Sequence, residues 1–426
     1  MHKITDHPLR YSLANELHAR PFPSLEAPCT AAFLAIKQTD AAAARDRGQD
    51  LAHLIDLLDR HGAAHPQPGA THYSGEIGRH FLKWEQHTEF VTYTIFTRGL
   101  SARAFDPAEF EVFPEDWLQA APGVRVSSAL IRIELRPKAE KLAKNLRDWF
   151  VPESLAVSEV LDEAAVVATD FRIAQGGHLR MAALVSPGTD ERRVGRIVQR
   201  LCEIETYKTM SMLGFARARK LSGQMGEIEG RLNGMMADIT NDDAPADEIL
   251  DALLRTSAEL ENMIAESSFR FGATGAYEAI VNQRIEVMRE ARYEGRQSFA
   301  EFMMRRYDPA MRTVASTKAR MEALAERAMR AGELLRTKVD VARSAQNQAL
   351  LESMDRRADM ALRLQETVEG LSVVAISYYA VSLVSYLAYP LTGPLGLSKG
   401  VLTAVITVPV VLLVWGLVRR IKARMH

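Results

Sequence analysis

The chain has 426 residues, a formal net charge of −1 and 47% hydrophobic residues. This length leaves room for about two or three domains, and the balanced charge excludes a global field that would attract nucleic acid. The two cysteines, Cys29 and Cys202, match no metal or redox spacing, so we predict buried thiols in a reducing compartment. The polar start of the chain predicts no signal peptide.

Residues 1–186 predict a cytoplasmic α/β domain built on a mixed sheet. The apolar run 31–36 is typical of a buried strand, and Leu51, Leu54 and Leu58 follow at helical spacing. Further strands are predicted from segments rich in β-branched, aromatic or alternating apolar residues. These segments are 72–77, 81–96, 129–135, 164–173 and 179–185. Such a pattern gives an α+β fold with helices covering a sheet.

Residues 187–308 predict a helical body, and residues 309–370 predict a stalk helix. A first long helix starts near Val194, and a second, from about Ala246, is expected to break at residues 271–275. In the stalk, apolar residues recur every seven positions, as in coiled coils, at Val314, Met321, Ala328, Leu335, Ala342 and Ala349. We therefore expect a homo-oligomer.

Residues 371–418 predict a transmembrane hairpin. The stretches 371–391 and 401–418 contain no charged residue and are each close to the roughly 20 residues that cross a bilayer. Arginines precede the first stretch, and a basic tail, residues 419–426, follows the second. The positive-inside rule then puts both termini in the cytoplasm and makes membrane lipid a partner.

The first predicted span carries a polar stripe at helical spacing. Its members are Ser372, Tyr379, Ser382, Tyr386 and Tyr389. In lipid, such hydroxyls favour a helix-packing face against the second span or a neighbouring subunit. A water-lined pore is the alternative, although neither span contains an ionisable residue of the kind that transport pathways often use.

A second candidate is a polar cluster near the N-terminus, formed by Arg10, Glu16, His18 and Arg20. These residues stand beside two prolines, so they could form a functional site or fasten a rigid arm to the domain. The region is also rich in histidine, and His7, Glu16 and His18 could hold a metal together with His80, Glu85 or His87. None of them shows the short paired spacing of known metal sites, so we predict no metal site.

Motifs for catalysis and nucleic-acid binding are nearly absent from the sequence. The stretch Gly396-Leu-Ser-Lys-Gly400 has the spelling of a nucleophile elbow, but it lies between the two predicted spans with no strand before it, so we attribute it to chance. There is no phosphate loop, no dinucleotide-binding glycine motif and no zinc-protease motif. No basic stripe with interleaved aromatics predicts nucleic-acid binding. We therefore predict no catalytic residue and no cofactor.

Five stretches carry a family resemblance: residues 7–10, 16–22, 83–90, 198–207 and 305–310. In them the chain resembles an uncharacterised bacterial family of membrane-anchored proteins, catalogued as domain of unknown function 3422. The resemblance runs from end to end of the chain and implies no established activity. It implies a membrane-anchored bacterial protein, and with the two predicted spans we expect a two-pass protein of the inner membrane.

A looser, architectural resemblance is to CorA-type divalent-cation transporters, which also join an α/β domain, a stalk helix and a two-helix hairpin. Those proteins carry Gly-Met-Asn at the end of the first span, where this chain reads Ser-Tyr-Leu-Ala-Tyr-Pro at residues 385–390. The expected function is thus a membrane-anchored oligomeric scaffold or interaction protein with unidentified protein partners. A CorA-like cation channel without that filter is the alternative, and an enzyme is the third choice.

Overall fold

A computed structural model describes residues 4–16, 21–39, 45–241, 243–391 and 398–425. The chain divides into two compact units, Met1–Ala331 and Gly332–His426. The boundary falls inside the segment predicted as a stalk. The fold is mixed α+β, as predicted: a sheet and long helices in the first unit, and apolar helices at the C-terminal end of the second.

The first unit contains a nine-stranded mixed sheet in the order β2-β3-β4-β1-β5-β8-β7-β6-β9. Its strands are β1 (Cys29–Lys37), β2 (His72–Ile77), β3 (His80–Gln86), β4 (Phe90–Arg98), β5 (Val124–Leu135), β6 (Ala156–Val160), β7 (Ala165–Ile173), β8 (Leu179–Val185) and β9 (Ala291–Arg292). Among these described strands, β5 and β8 are parallel, and the other paired strands are antiparallel.

Short helices also belong to the first unit: α1 (Arg10–Glu16), α2 (Arg47–Arg60), α3 (Glu115–Gln119) and α4 (Ala139–Trp149). Of these, α2, α3 and α4 contribute to the core on one face of the sheet. Trp84 and Tyr93 from the sheet, Leu54 from α2, Trp117 from α3 and Leu146 from α4 are fully buried there. Each such side chain contributes about 1.5–3 kcal/mol by leaving water, so this face holds the domain together.

Long helices follow the sheet: α5 (Glu191–Asn241), α6 (Ala246–Val287) and α8 (Asp308–Ala388). A short helix, α7 (Phe299–Arg306), lies between α6 and α8. The heptad positions Val314, Met321 and Ala328 are buried inside the first unit. Arg320 pairs with Glu229 of α5, and Arg327 donates a hydrogen bond to Asn233. The first part of the heptad repeat from which we expected a homo-oligomer is therefore covered by the chain's own helices.

Several boundaries differ from the sequence predictions. Residues 81–96 form parts of two strands joined by a turn, and β6 and β9 were not predicted. The expected break at residues 271–275 was wrong, because α6 runs through it without interruption. A helical glycine costs about 1 kcal/mol, and burial of Phe271 and Thr274 offsets that cost.

The second unit contains the continuation of α8 and a last helix, α9 (Lys399–Met425). Two helices, Asp308–Ala388 and Lys399–Ile421, are long and apolar enough to cross a membrane, and their most apolar windows are only 11% and 6% buried. A core helix of a soluble protein would be mostly buried. These windows instead expose apolar side chains, as lipid-facing helices do.

Candidate functional site

The predicted N-terminal cluster is described only in part. Arg10 forms an ion pair with Asp6, four residues earlier on the chain, and its guanidinium lies 5.9 Å from the ring centre of Tyr11. Glu16 ends α1, but its side chain lies outside the described residues, as do His18 and Arg20. The cluster remains a prediction, with Arg10 in a local contact.

Three of the side chains considered as metal ligands, all on or between β3 and β4, make other contacts. His80 Nδ1 lies 2.7 Å from the Thr97 hydroxyl, the His87 ring is stacked on Phe90, and Glu85 pairs with Lys83. Among the described residues, no group of three His, Cys, Asp or Glu side chains could hold a metal ion. These side chains fasten strands and turns to one another.

Two of the stretches that carry the family resemblance meet on the second face of the sheet, against α5. Lys83 of β3 pairs with Glu85 at 3.1 Å and donates a 2.6 Å hydrogen bond to Gln199 of α5. Gln199 donates in turn to Glu203 at 2.8 Å, and Glu203 accepts from Arg284 of α6. A chain of charge-assisted bonds therefore links the sheet, α5 and α6.

A second network starts at Glu89, which lies in the turn between β3 and β4 and is fully buried. Arg270 of α6 donates to both carboxylate oxygens, and Tyr277 donates a third bond at 2.8 Å. Burial raises the pKa of Tyr277, and the Glu89 charge adds to that shift, so its phenol stays a donor. A buried carboxylate with these partners is satisfied, as burial requires.

Beside these networks lies a small cavity of about 30 Å³, lined by Lys83, Glu85, Thr92, Gln199 and Tyr207 among others. One water needs about 10–15 Å³ of such space. The cavity has room for about two waters, which is too little for a metabolite. We interpret it as a small packing gap in the junction between the sheet and α5.

Two further stretches of the resemblance pack against α5. Tyr307, next to the start of α8, is buried with its hydroxyl 2.8 Å from Ser211 of α5, and burial raises the pKa of Tyr307 to about 12. At the other end of α5, Arg196 lies over the Phe22 ring. The nearby Gly195 leaves no room for a side chain, because a Cβ there would come 1.7 Å from the Pro23 carbonyl oxygen. The α5 helix thus joins the N-terminal arm, the sheet and the start of α8.

The thiols are poor candidates for nucleophilic chemistry. Cys29 and Cys202 are buried; burial, with Glu26, raises the pKa of Cys29 to about 12, and burial also raises the pKa of Cys202. Only the thiolate is nucleophilic, so both cysteines are inert near neutral pH.

The first unit also has an open cleft of about 1230 Å³ where β2 and β4 end and β1 and β3 begin. Arg79 and Arg98 line it and are exposed, as are Glu76 and Glu111 on the same cleft. Its volume exceeds that of most small-molecule pockets, and its lining is mixed in charge. Sequence reasoning missed this cleft, because it is assembled from strand ends distant along the chain.

In the second unit, the predicted polar stripe is largely exposed. Tyr379 and Tyr386 are 67% and 70% exposed, while the hydroxyls of Ser372 and Ser382 donate to backbone carbonyls of their own helix. Tyr389 lies beneath the Lys399 ammonium, which is 5.4 Å from its ring centre.

The buried side chains of the two apolar helices are different ones. Within the part of the second unit that the structure describes, Ser377, Ser385 and Val414 are buried in the apolar stretches. The two serines are eight residues apart on α8, a spacing that places both on one face. In the described part of the first span the covered side chains are therefore these two serines. The pore or packing face formed by Ser372, Tyr379, Ser382, Tyr386 and Tyr389 stays a prediction.

The fold and its contacts define a class: a mixed α+β protein whose sheet is fastened to long helices by buried ion pairs, and which ends in two helices able to span a membrane. Within that class, the chain belongs to the family described as "Protein of unknown function (DUF3422)", whose profile matches residues 5–425. A search of curated proteins and a search of solved structures found no match. Neither search supports the resemblance to CorA-type transporters, which stays a prediction.

Proposed function

We propose that the protein is a membrane-anchored oligomeric scaffold at the bacterial inner membrane, which acts by binding partners and has no catalytic site of its own. One observation carries this proposal: the charged side chains of residues 83–90 and 198–207 are used to fasten the sheet to the helices. Lys83 and Glu89 are each held in an ion pair or hydrogen bond across that junction, and Glu203 joins α5 to α6. Residues held this way brace a rigid body and are not poised for chemistry.

The proposed topology has two spans with both termini in the cytoplasm. It is supported by the two apolar, exposed helices and by the basic residues that flank them, Arg356, Arg357 and Arg363 before the first and Arg419 and Arg420 after the second. Cytoplasmic loops carry such an excess of Lys and Arg.

The open cleft is the proposed partner-binding surface, and photo-crosslinking tests it in cells. A photoreactive residue replaces Arg79 or Arg98, both exposed on the cleft, and a matched control replaces Arg255, which is exposed on α6 and paired with Asp251 of the same helix. We expect discrete crosslinked proteins from the two cleft positions and none from the control. Equal labelling at all three positions would contradict a specific scaffold surface.

Cation conduction is the second candidate, favoured by the exposed hydroxyl-bearing face of the first span. In a CorA-like arrangement of several copies, Tyr379, Ser382 and Tyr386 would surround a path without the Gly-Met-Asn filter. Ion flux into proteoliposomes that contain the full-length protein tests this. Conduction predicts flux that falls strongly in Ser382→Leu and persists in Leu383→Ala, a change at a neighbouring exposed position. If the protein is a scaffold without conduction, neither the unmodified protein nor either variant should show flux.

A further inference from the structure

A long part of α8 in the second unit is exposed around its whole circumference. Between residues 339 and 368 every residue except Ser353 is exposed. Its large apolar side chains are open to solvent, among them Leu350, Met354 and Leu364, which are 60%, 58% and 66% exposed. A solitary helix gains little stability from propensity alone, so this exposed surface needs a partner.

The exposed apolar side chains lie mainly on one face. At about 100° per residue, a single stripe contains Leu350, Met354, Ala361, Leu364, Val368 and Leu371. Arg357 is the one charged residue within it. The other charged residues of this stretch point away from the stripe: Glu352, Asp355, Arg356, Asp359, Arg363, Glu366 and Glu369. This sharp division of the helix surface is typical of a helix with a helical partner.

The same face continues into the apolar span. Ala375 and Ser382 extend the seven-residue spacing of Met354, Ala361 and Val368, and Tyr379 and Tyr386 lie beside them. Ala375, Tyr379 and Tyr386 are exposed, and Ser382 is half-buried. A partner that covers the whole face must therefore follow α8 from water into lipid.

We propose that this surface, formed by the stripe within residues 350–386 and here called the 350–386 face, packs against the same face of further copies of the chain. Every copy would enter the bilayer at the same end, so the helices are parallel. A regularly spaced apolar face that contains one charged residue, Arg357, is complementary to itself over most of its length, whereas a soluble partner could not follow it into the membrane. The inference depends on the oligomeric part of the proposed function and is independent of the cleft.

The size of the face is sufficient for a specific contact. Its roughly 37 residues extend about 55 Å, and a strip about 10 Å wide would bury on the order of 1,100 Å² for each pair of helices, just above the roughly 1,000 Å² expected of a specific interface.

The positions beside the stripe indicate more than two copies. Leu351, Ala358 and Gln365 flank one side, and Met360 and Thr367 flank the other. In two-stranded coiled coils such flanks often carry charges that pair between helices. Here the flanks are uncharged except for Glu369, which lies on the same side as Leu351, so each helix can contact two neighbours at once.

Arg357 gives the inference a distinctive signature. Within a parallel assembly the Arg357 side chains of all copies meet at the same level, and like charges in a seam oppose association. Arg357→Leu should therefore raise the association constant about tenfold, which corresponds to about 1.4 kcal/mol. Arg363→Leu, on the charged side of the same helix, is the matched control and should change nothing.

The decisive experiment is disulfide crosslinking of the full-length protein in its native membrane. Ala361→Cys is on the face and Asp359→Cys is on the opposite side; the native thiols are buried and inert. We expect oxidation to link copies through Cys at position 361 and not at position 359. Leu364→Glu, introduced into the Ala361→Cys protein, should reduce that link about tenfold, while Leu362→Glu, at a similarly exposed leucine off the stripe, should leave it intact.

Three outcomes would overturn the inference: no link at position 361, equal links at both positions, or a link only to a different protein. If the protein is a monomer but still crosslinks partners through the cleft, the inference about the 350–386 face is refuted and the cleft part of the scaffold proposal stands. Loss of cleft crosslinks with intact self-association would do the reverse.

Discussion

Glu89 and Arg270 are 181 residues apart in sequence and form a two-pronged ion pair in the first unit, with one arm 3.3 Å long. The Glu89 side chain is 1% exposed and that of Arg270 is 16% exposed. The pair joins the β3–β4 turn to the middle of α6. Since α5 lies against α6 and the sheet, this contact helps to hold the helices against the sheet in one arrangement.

Removal of Arg270 should be strongly destabilising. Arg270→Ala leaves the buried Glu89 carboxylate without its paired charge, although Tyr277 still donates to it, so we expect a loss of about 3–5 kcal/mol in the free energy of unfolding. Arg255→Ala is the control, because its pair with Asp251 is exposed and should contribute about 0.5 kcal/mol or less. Urea unfolding of the full-length protein in mild detergent, followed by tryptophan fluorescence, measures both. Equal effects would contradict the role given to Glu89.

Gly214 should tolerate no side chain, because α5 and α6 approach each other closely there. A Cβ at this position would lie 2.1 Å from the Thr274 hydroxyl oxygen, so Gly214→Ala should force the helices apart and cost about 1–3 kcal/mol. Gly223, on the same helix, has open space within 4 Å of the place a Cβ would occupy. Gly223→Ala should instead stabilise the protein by about 0.5–1 kcal/mol. Thermal unfolding of the two variants should therefore shift in opposite directions.

His178 should make the free energy of unfolding depend on pH in the acidic range. Its ring is buried, with its centre 3.9 Å from that of Phe110 and its Nδ1 2.9 Å from the Ser128 hydroxyl. Burial, aided by Arg125, lowers the pKa of His178 to about 4. In the unfolded chain the imidazole takes up a proton below about pH 6.5, whereas in the folded chain it stays neutral until the pH is close to 4. The stability that depends on a neutral His178 is therefore complete above about pH 6.5 and is lost as pH falls towards 4.

The size of that effect is bounded by about 1.4 kcal/mol for each unit of pKa shift, or about 3.5 kcal/mol for a shift from 6.5 to about 4. His178→Gln should flatten the slope of unfolding free energy between pH 6.5 and 4. His65, half exposed beside Asp59, provides a control substitution. An unchanged slope in His178→Gln would show that other groups govern the acid response.

The proposed topology can be checked with single cysteines. Gly400→Cys adds a thiol at the start of α9, where a Cβ meets nothing within 4 Å, and Arg356→Cys adds one before the first span, at a residue that is exposed. A membrane-impermeant maleimide should label intact spheroplasts at position 400 and label position 356 only after lysis. The native cysteines do not interfere, because they are buried with raised pKa values. The opposite labelling pattern would invert the topology.

Much of the fold could be predicted from local sequence. The β1 strand, the α2 helix and the start of α5 follow from the spacing of their apolar residues, and β2 has the predicted bounds. Residues 271–275 misled the prediction, because the glycines signal a break while the burial of Phe271 and Thr274 in the helix interface decides the outcome. Local propensity is weak against tertiary packing.

The candidate sites were less predictable. Lys83 and Glu203 belong to stretches that the resemblance already marked, yet nothing in their local sequence places them in one hydrogen-bonded chain. Ser377 and Ser385 were overlooked beside the more conspicuous tyrosines. Which face of an apolar helix is covered depends on its neighbour, and the residues of that helix alone cannot specify it.

Sequence by itself determined the two apolar helices able to cross a membrane, the helical character of residues 187–308 and the membership of the family. The helices depend on composition and periodicity over about 20 residues, which is a local property, whereas the family membership depends on the stretches that carry the resemblance and on the profile match over residues 5–425. Tertiary structure alone decided the strand order, the pairing of Glu89 with Arg270 and the covering of Val314, Met321 and Ala328 by the chain's own helices. Such contacts join residues far apart along the chain, and only the packing of the whole unit selects one partner among many.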